Sequence, residues 1–321
     1  MNEMNRKILI FLCAVILAFG MLPGMPGDSS TAWAADGNVC EIEGTEYASL
    51  DGALAAVGDG QTATIKLLCD ISCNSGIKIS DGQLITFDLA GYNLKITAGS
   101  GIGLEVTHGS VDYTGSGSFD VTGDTCGVSA NGGAAYIRVG SASAASAGGN
   151  GAVALSGGDA VVEGDVQGGY NGAYASGNGS SIIVNGDAAG TVDPTMGSGA
   201  TAGAGGSVTI NNGDARGVAY GAYANGTDAQ VIINGGSAVG TDSSISHGIH
   251  TEGGGYVKVT GDVEGGQYGV VALGASSVIV TGDVSIARTI NGWGLNADGG
   301  SVIKVGGNVV TTGSCIGASS L

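Results

Sequence analysis

From Gly127 to the end, the chain repeats one pattern of apolar and polar positions eight times. Each unit opens on an anchor glycine, at Gly127, Gly151, Gly172, Gly199, Gly221, Gly248, Gly269 and Gly294, with intervals of 24, 21, 27, 22, 27, 21 and 25 residues. The residue after each anchor is Val128, Ala152, Ala173, Ala200, Ala222, Ile249, Val270 or Leu295, always apolar. Two positions on stand Ala130, Ala154, Ala175, Ala202, Ala224, Thr251, Ala272 and Ala297, always small. Between them the column varies freely: Ser129, Val153, Tyr174, Thr201, Tyr223, His250, Val271 and Asn296. Alternate side chains of a strand face opposite sides, so two uniform columns around a variable one predict a strand with one buried face.

A second strand follows in every unit. Its inward columns are Ile137, Ala160, Ile182, Val208, Val231, Val257, Val278 and Ile303, then Val139, Val162, Val184, Ile210, Ile233, Val259, Val280 and Val305. The column between them mixes Arg138, Ile183, Thr209, Lys258 and Lys304. No segment here has helical period. At least two short strands per unit, with length for a third and glycine at the corners, predict an all-β chain folded as a parallel β-solenoid. Identical positions then stack about 4.8 Å apart, and eight coils make a rod on the order of 40 Å long. Glycine, 65 of 321 residues, is accounted for by corners that need positive φ and by stacked corners without room for side chains.

The stretch before the repeats differs. A solenoid exposes sheet edges at its ends, and residues 40 to 72 have the pattern of a cover for one of them. "CEIEGTEYASLDGALAAVGDG" holds a short strand and then an amphipathic helix from Ser49 to Val57, with Ser49 as N-cap and Leu50, Ala53, Leu54 and Val57 on one face. "TATIKLLCDI", "GIKIS" and "LITFDLAGYNLKI" follow as strands of period two. The order Tyr47, Ser49, Leu50, Ala53, Leu54, Gly60, Ile65, Leu67-Leu68 and then "ITFDLAGYNLKI" resembles the opening of pectin-lyase-like surface proteins, common in Gram-positive bacteria. The resemblance covers residues 40 to 97 by motif and the rest by repeat. It implies a right-handed parallel β-helix with an N-terminal helix/strand cap, a fold that hosts lyases, hydrolases, adhesins and bare stalks.

The first residues read as a secretory signal. Arg6 and Lys7 precede the apolar run Ile8 to Leu22, and Ala32-Trp33-Ala34 supplies the small residues of a cleavage site. The run is too short for a membrane span. The chain thus divides into a signal peptide (1–34), a cap with the first coils (35–100) and a repetitive solenoid (101–321), with the mature chain secreted or at a cell surface and not inserted in a membrane. The ending "CIGASSL" begins a further coil, so the sequence predicts continuation past Leu321 or pairing with another chain.

Glu3, Arg6, Lys7 and Asp28 cancel, so the mature chain keeps the net charge of −18. That field repels nucleic acid, and acidic polysaccharides too unless a cation intervenes. Charged residues are only 12% of the chain, which argues against disorder. Export permits disulfides, and Cys40, Cys69 and Cys73 are close enough in sequence for one bridge among them; Cys126 and Cys315 read equally as buried small apolar residues.

Three sets of residues carry candidate chemistry. Tyr174, Thr201, Tyr223 and His250 share the outward column, where flat rings on a rigid sheet can stack on sugar rings. Tyr220, His247, Tyr268 and Trp293 precede four anchor glycines, and parity points them inward or into the corner. An acidic column, Asp124, Asp165, Asp187, Asp262 and Asp283 with Asp214 close by, follows corner glycines. Asp165 with Asp187, or Asp262 with Asp283, is the candidate calcium site; the competing role is shaping turns through bonds to their own backbone. For catalysis, the resemblance implies an arginine or lysine base with calcium on clustered acids. Arg138, Arg216 and Arg288 lie in three different coils, and no acidic cluster is evident beside Arg138. The sequence therefore points to a non-catalytic scaffold for adhesion or carbohydrate binding, with glycans or a cell-envelope surface as partner and no cofactor beyond calcium. The alternative is a polysaccharide lyase or glycoside hydrolase, which a compact Asp/Glu/Arg group on adjacent coils would favour.

Overall fold

A computed structural model describes residues 37–192, 197–287, 290–311 and 314–320. Residues 1–34, where the sequence predicts a signal peptide, and Arg288 lie outside the described residues, as does the side chain of Cys315.

The chain forms a parallel β-solenoid of three sheets. Each coil contributes one strand to each sheet in the same order. The first coil runs through Thr62–Leu67 in sheet I, Ile71–Cys73 in sheet II and Ile77–Ile79 in sheet III. The sheets hold 13, 11 and 11 strands; the two extra strands of sheet I are β1 (Cys40–Ile42) and β2 (Thr45–Tyr47). These form an antiparallel hairpin, and β1 also pairs antiparallel with Thr62–Leu67, so the hairpin occupies the edge of sheet I. Helix α1 (Leu50–Ala56) follows. Ser49 Oγ accepts the Gly52 N–H at 3.1 Å and closes its first turn. Leu50, Ala53 and Val57 are buried, the face the sequence predicts, and Leu54 is half-buried.

The predicted columns are in register. Val128, Ala152, Ala173, Ala200, Ala222, Ile249, Val270 and Leu295 pair strand to strand along sheet III. Ile137 through Ile303 do so along sheet I. Sheet II is the third strand of the coil, with Ala142, Val166, Ala188, Ala215, Ala238, Val263 and Val284 stacked inward. One apolar core runs continuously from Val39 to Val284.

Anchor glycines are required by space. A Cβ on Gly172 would lie 2.5 Å from the Ala189 nitrogen, and one on Gly221 2.4 Å from that of Val239. No real Cβ approaches backbone so closely, so the start of sheet III and the next strand of sheet II can meet only through glycine. The turns from sheet III to sheet I use the other property of glycine: Gly177 and Gly226 have φ of 96° and 99°.

The aspartates build a ladder between coils rather than turns within one. Asp165 Oδ1 accepts the Asp187 N–H at 2.9 Å, Asp187 Oδ1 that of Asp214 at 2.8 Å, and Asp214 Oδ1 that of Ser237 at 2.7 Å. Ser237 Oγ accepts from the Asp262 N–H, Asp262 Oδ1 from Asp283, and Asp283 Oδ1 from Asn308. At two of these aspartates the preceding glycine makes room for the carboxylate of the coil before: a Cβ on Gly186 would sit 2.4 Å from Asp165 Oδ1, and one on Gly282 2.3 Å from Asp262 Oδ1. At Gly213 and Gly261 the glycine instead lets the chain pass close to the backbone of Gly186 and Gly236. Asp214 belongs to the ladder; Asp124 does not, because its neighbour Gly123 ends a sheet II strand and Asp124 falls at the next corner.

Cys40, Cys69, Cys73 and Cys126 are free thiols, so the bridge expected at the N-terminal end is not formed. Cys40 is buried in β1, where its Sγ contacts the Ser49 carbonyl oxygen at 3.9 Å. Burial, then the neighbouring Cys69 and Cys73, pushes the Cys40 thiol up to about 11.

Candidate functional site: an aromatic groove on sheet III

The outward column of sheet III carries Tyr174, Thr201, Tyr223 and His250 on successive strands, in register. The residues before the anchor glycines form a second row, in which Ser198, Tyr220, His247, Tyr268 and Trp293 are stacked. Parity points this row inward or into the corner; in the structure Tyr220 and His247 stand half-buried at the corner and outside the core. In Tyr220–Asn225 the glycine and the alanine after Tyr220 are both buried, so alternation breaks at the corner. Tyr220 and Tyr223, three residues apart, therefore stand on the same face with rings stacked at 5.2 Å and 21°. His247 and His250 repeat this one strand on, at 5.1 Å and 23°.

The two stacked pairs meet edge to face. Tyr220 and His247 rings are 5.2 Å apart at 87°, Tyr223 and His250 5.4 Å apart at 71°. His247 also packs against Tyr268 at 4.6 Å. Polar atoms are tied within the block. Asn225 Nδ2 donates to Tyr223 Oη at 2.9 Å, and Tyr223 Oη donates to Glu252 Oε1. The His247 and His250 Nδ1 atoms share one hydrogen bond of 3.0 Å. Burial, then His250, lowers His247 to about 3; burial also lowers His250, against the opposing pull of Glu252. Both imidazoles are thus neutral at pH 7. Burial and the Glu252 carboxylate push the Tyr223 phenol above its usual range.

Beside this block lies an open groove of about 570 Å³. Tyr174 and Tyr223 line it with Thr201 between them, and Asn150, Tyr170, Asn171, Ser198 and Asn225 complete its polar lining. Three of the four residues expected to bind a ligand are thus brought together, and His250 backs Tyr223 from the next strand. Thr201 is 7% exposed, and its hydroxyl donates to Asn171 Oδ1 at 3.0 Å, while Asn171 Nδ2 donates to Asn150 Oδ1 at 2.8 Å. Thr201 accordingly serves the floor, and the chain of bonds ends on the Asn150 amide oxygen. The part played by Asn150, Asn171 and Asn225 was missed from the sequence, although Asn171 opens the strand of Tyr174, Asn225 ends that of Tyr223, and Asn150 opens the strand one coil earlier.

A second cluster overturns a sequence expectation. Arg138, on the outer face of sheet I, lies between acids of the coils before and after it: Nε is 2.6 Å from Glu163 Oε1 and Nη1 3.5 Å from Asp112 Oδ1. Its guanidinium stands 5.3 Å from the Tyr113 ring centre. The acids were overlooked because they are 26 residues before and 25 after Arg138 in the chain. Hydrogen bonding to Glu163 raises the arginine and, after Asn185, lowers Glu163, so the pair is firmly ionised. Asn185 Nδ2 donates to Glu163, Asn211 to Asn185 and Asn234 to Asn211, continuing this network as an asparagine ladder.

Asp165, Asp187, Asp262 and Asp283 each commit Oδ1 to the backbone of the next coil. Among the described residues no group of three or more His, Cys, Asp or Glu side chains is placed to hold a metal ion, and no helix is long and apolar enough to cross a membrane. No family model, curated protein or solved structure matches the chain.

Proposed function

We propose that this chain is an exported, non-catalytic β-solenoid that presents a carbohydrate-binding face at a cell surface. The observation that carries this reading is the groove on sheet III, where Tyr174 and Tyr223 flank a polar floor of amides and hydroxyls. Sugar rings offer apolar C–H faces to aromatic rings and hydroxyls to amides, and the groove supplies both kinds of partner. Its lining has no carboxylate pair of the sort that glycoside hydrolysis requires, which supports binding without cleavage. Export rests on the leader-like first residues, and the link to pectin-lyase-like surface proteins on the cap-region motif. The test is a glycan array probed with labelled protein of residues 35–321, with and without calcium. Reproducible binding is expected; a blank array in both conditions refutes the carbohydrate role.

The Asp112–Arg138–Glu163 cluster favours a second reading, a polysaccharide lyase or hydrolase acting on the outer face of sheet I. An arginine base must shed its proton, and Glu163 opposes that by holding the guanidinium charged. Incubation with polysaccharides, read by reducing ends and by absorbance of unsaturated products, decides it. Product that Arg138→Ala abolishes establishes the enzyme.

A further inference from the structure

We infer that the sheet III groove takes a neutral oligosaccharide of at least three pyranose rings, lying along the direction in which the coils stack. This rests on the carbohydrate-binding reading and narrows it to one class and one orientation.

The charge of the ligand follows from the lining. No Asp, Glu, Lys or Arg is among the residues of the groove. An acidic sugar would meet no cation there and would approach a chain of net charge −18. A cationic sugar would find no carboxylate in the lining, since Glu252, which accepts from Tyr223, is not among the groove residues. Uncharged hydroxyls suit what remains: two phenol rings and the amides of Asn150, Asn171 and Asn225.

Orientation and length follow from register. Tyr174, Thr201 and Tyr223 occupy successive parallel strands, so the two rings stand two strand spacings apart, roughly 10 Å. A linked pyranose advances by close to one strand spacing per ring. A chain laid along the stack therefore sets one ring on Tyr174, the next over Thr201 and a third on Tyr223. The small, buried Thr201 makes the middle position a gap wide enough for a sugar rather than a third stacking platform. A chain laid across the stack would reach only one of the two tyrosines. Beyond Tyr223 the block of Tyr220, His247 and His250 closes the row.

The test is calorimetric titration of residues 35–321 with neutral oligosaccharides of one to six rings, in gluco-, manno-, galacto- and N-acetylglucosamine series, beside oligogalacturonates of matched length. Affinity in at least one neutral series is expected to rise at least tenfold from one ring to three and to level off beyond. Tyr174→Ala and Tyr223→Ala should each lose at least tenfold on the trimer, while Tyr174→Phe, which keeps the ring, retains binding. Unchanged far-ultraviolet circular dichroism checks that the variants fold. Oligogalacturonates binding as tightly as neutral chains, affinity indifferent to length, or full binding by the alanine variants overturns the inference while leaving carbohydrate binding intact. Failure of every saccharide in both classes overturns the carbohydrate reading with it.

Discussion

Between Thr62 and Val121 the interior is filled by large side chains from all three sheets: Ile65, Leu67 and Phe87 from sheet I, Leu94, Ile96 and Phe119 from sheet II, Leu104 from sheet III. Phe87 and Phe119 meet edge to face at 5.4 Å. From Ala173 to Ala238 only sheet I keeps that bulk, in Ile182, Val208, Ile210 and Ile233. Sheets II and III bring Ala188, Ala215 and Ala238 against Ala173, Ala175, Ala200, Ala202, Ala222 and Ala224. The early coils hold their walls apart with rings and branched chains, whereas the central coils let two walls touch through glycine and alanine. One region should be sensitive to what is removed, the other to what is added.

The largest effect separating them is expected at Phe119. Phe119→Ala should cost about 3–5 kcal/mol, seen as a lower urea midpoint. In a stack whose coils touch only neighbours, the lost hydrogen-exchange protection should concentrate near Phe87 and Phe119. Loss spread evenly through all coils would erase the distinction. In the central coils, one added methyl does comparable harm: Gly172→Ala should cost about 3 kcal/mol, the upper end of overpacking penalties, because the Ala189 backbone cannot yield. Gly133→Ala, where a Cβ meets nothing within 4 Å, is the control and should be neutral by the same midpoint.

Acid should weaken the central coils selectively. The folded state holds His247 neutral down to about 3, while the unfolded chain protonates below about 6.5. Stability is therefore complete above that pH and is lost as pH falls from 6.5 toward 3, by about 2 kcal/mol at pH 5. His250 acts in the same direction. Hydrogen exchange at pH 5 and pH 7, corrected for intrinsic rates, should show the loss around residues 220–270 and not around 62–121; His247→Phe should remove most of it. The smallest effect is in the aspartate ladder. Asp187→Ala leaves the Asp214 N–H to water and should cost about 1 kcal/mol, whereas Asp187→Asn keeps the acceptor and should cost less. Equal losses in the two variants would mean that charge, not the hydrogen bond, matters there.

Much of this architecture is legible in the sequence because a parallel stack repeats its demands at fixed positions. The inward columns of sheets I and III, the Ser49 cap and the helix face could be read from alternation and composition alone. What escaped reading depends on geometry between coils or at corners. Tyr220 and His247 face outward because two consecutive buried residues break the alternation on which parity relies. Asp112 and Glu163 reach Arg138 only once the register across two coils is known. The aspartates serve their neighbours' backbone rather than their own turns, a difference that no local motif encodes. Of the site, Tyr174, Thr201 and Tyr223 were visible as a column, but the amide floor was not, since asparagine beside a glycine reads as a turn.

The aspartate ladder also has a sense. At every aspartate rung the acceptor belongs to the earlier coil and the donor to the one after it. Synthesis delivers coils in that same order, so a coil finished at one of these aspartates presents there a carboxylate, which water satisfies readily, while the N–H of the following residue, such as Val166, awaits a carbonyl of the next coil. At this corner the growing face thus carries both an acceptor and a donor already set to receive the next turn. Along this corner the solenoid is a vectorial template, able to be extended from one side coil by coil.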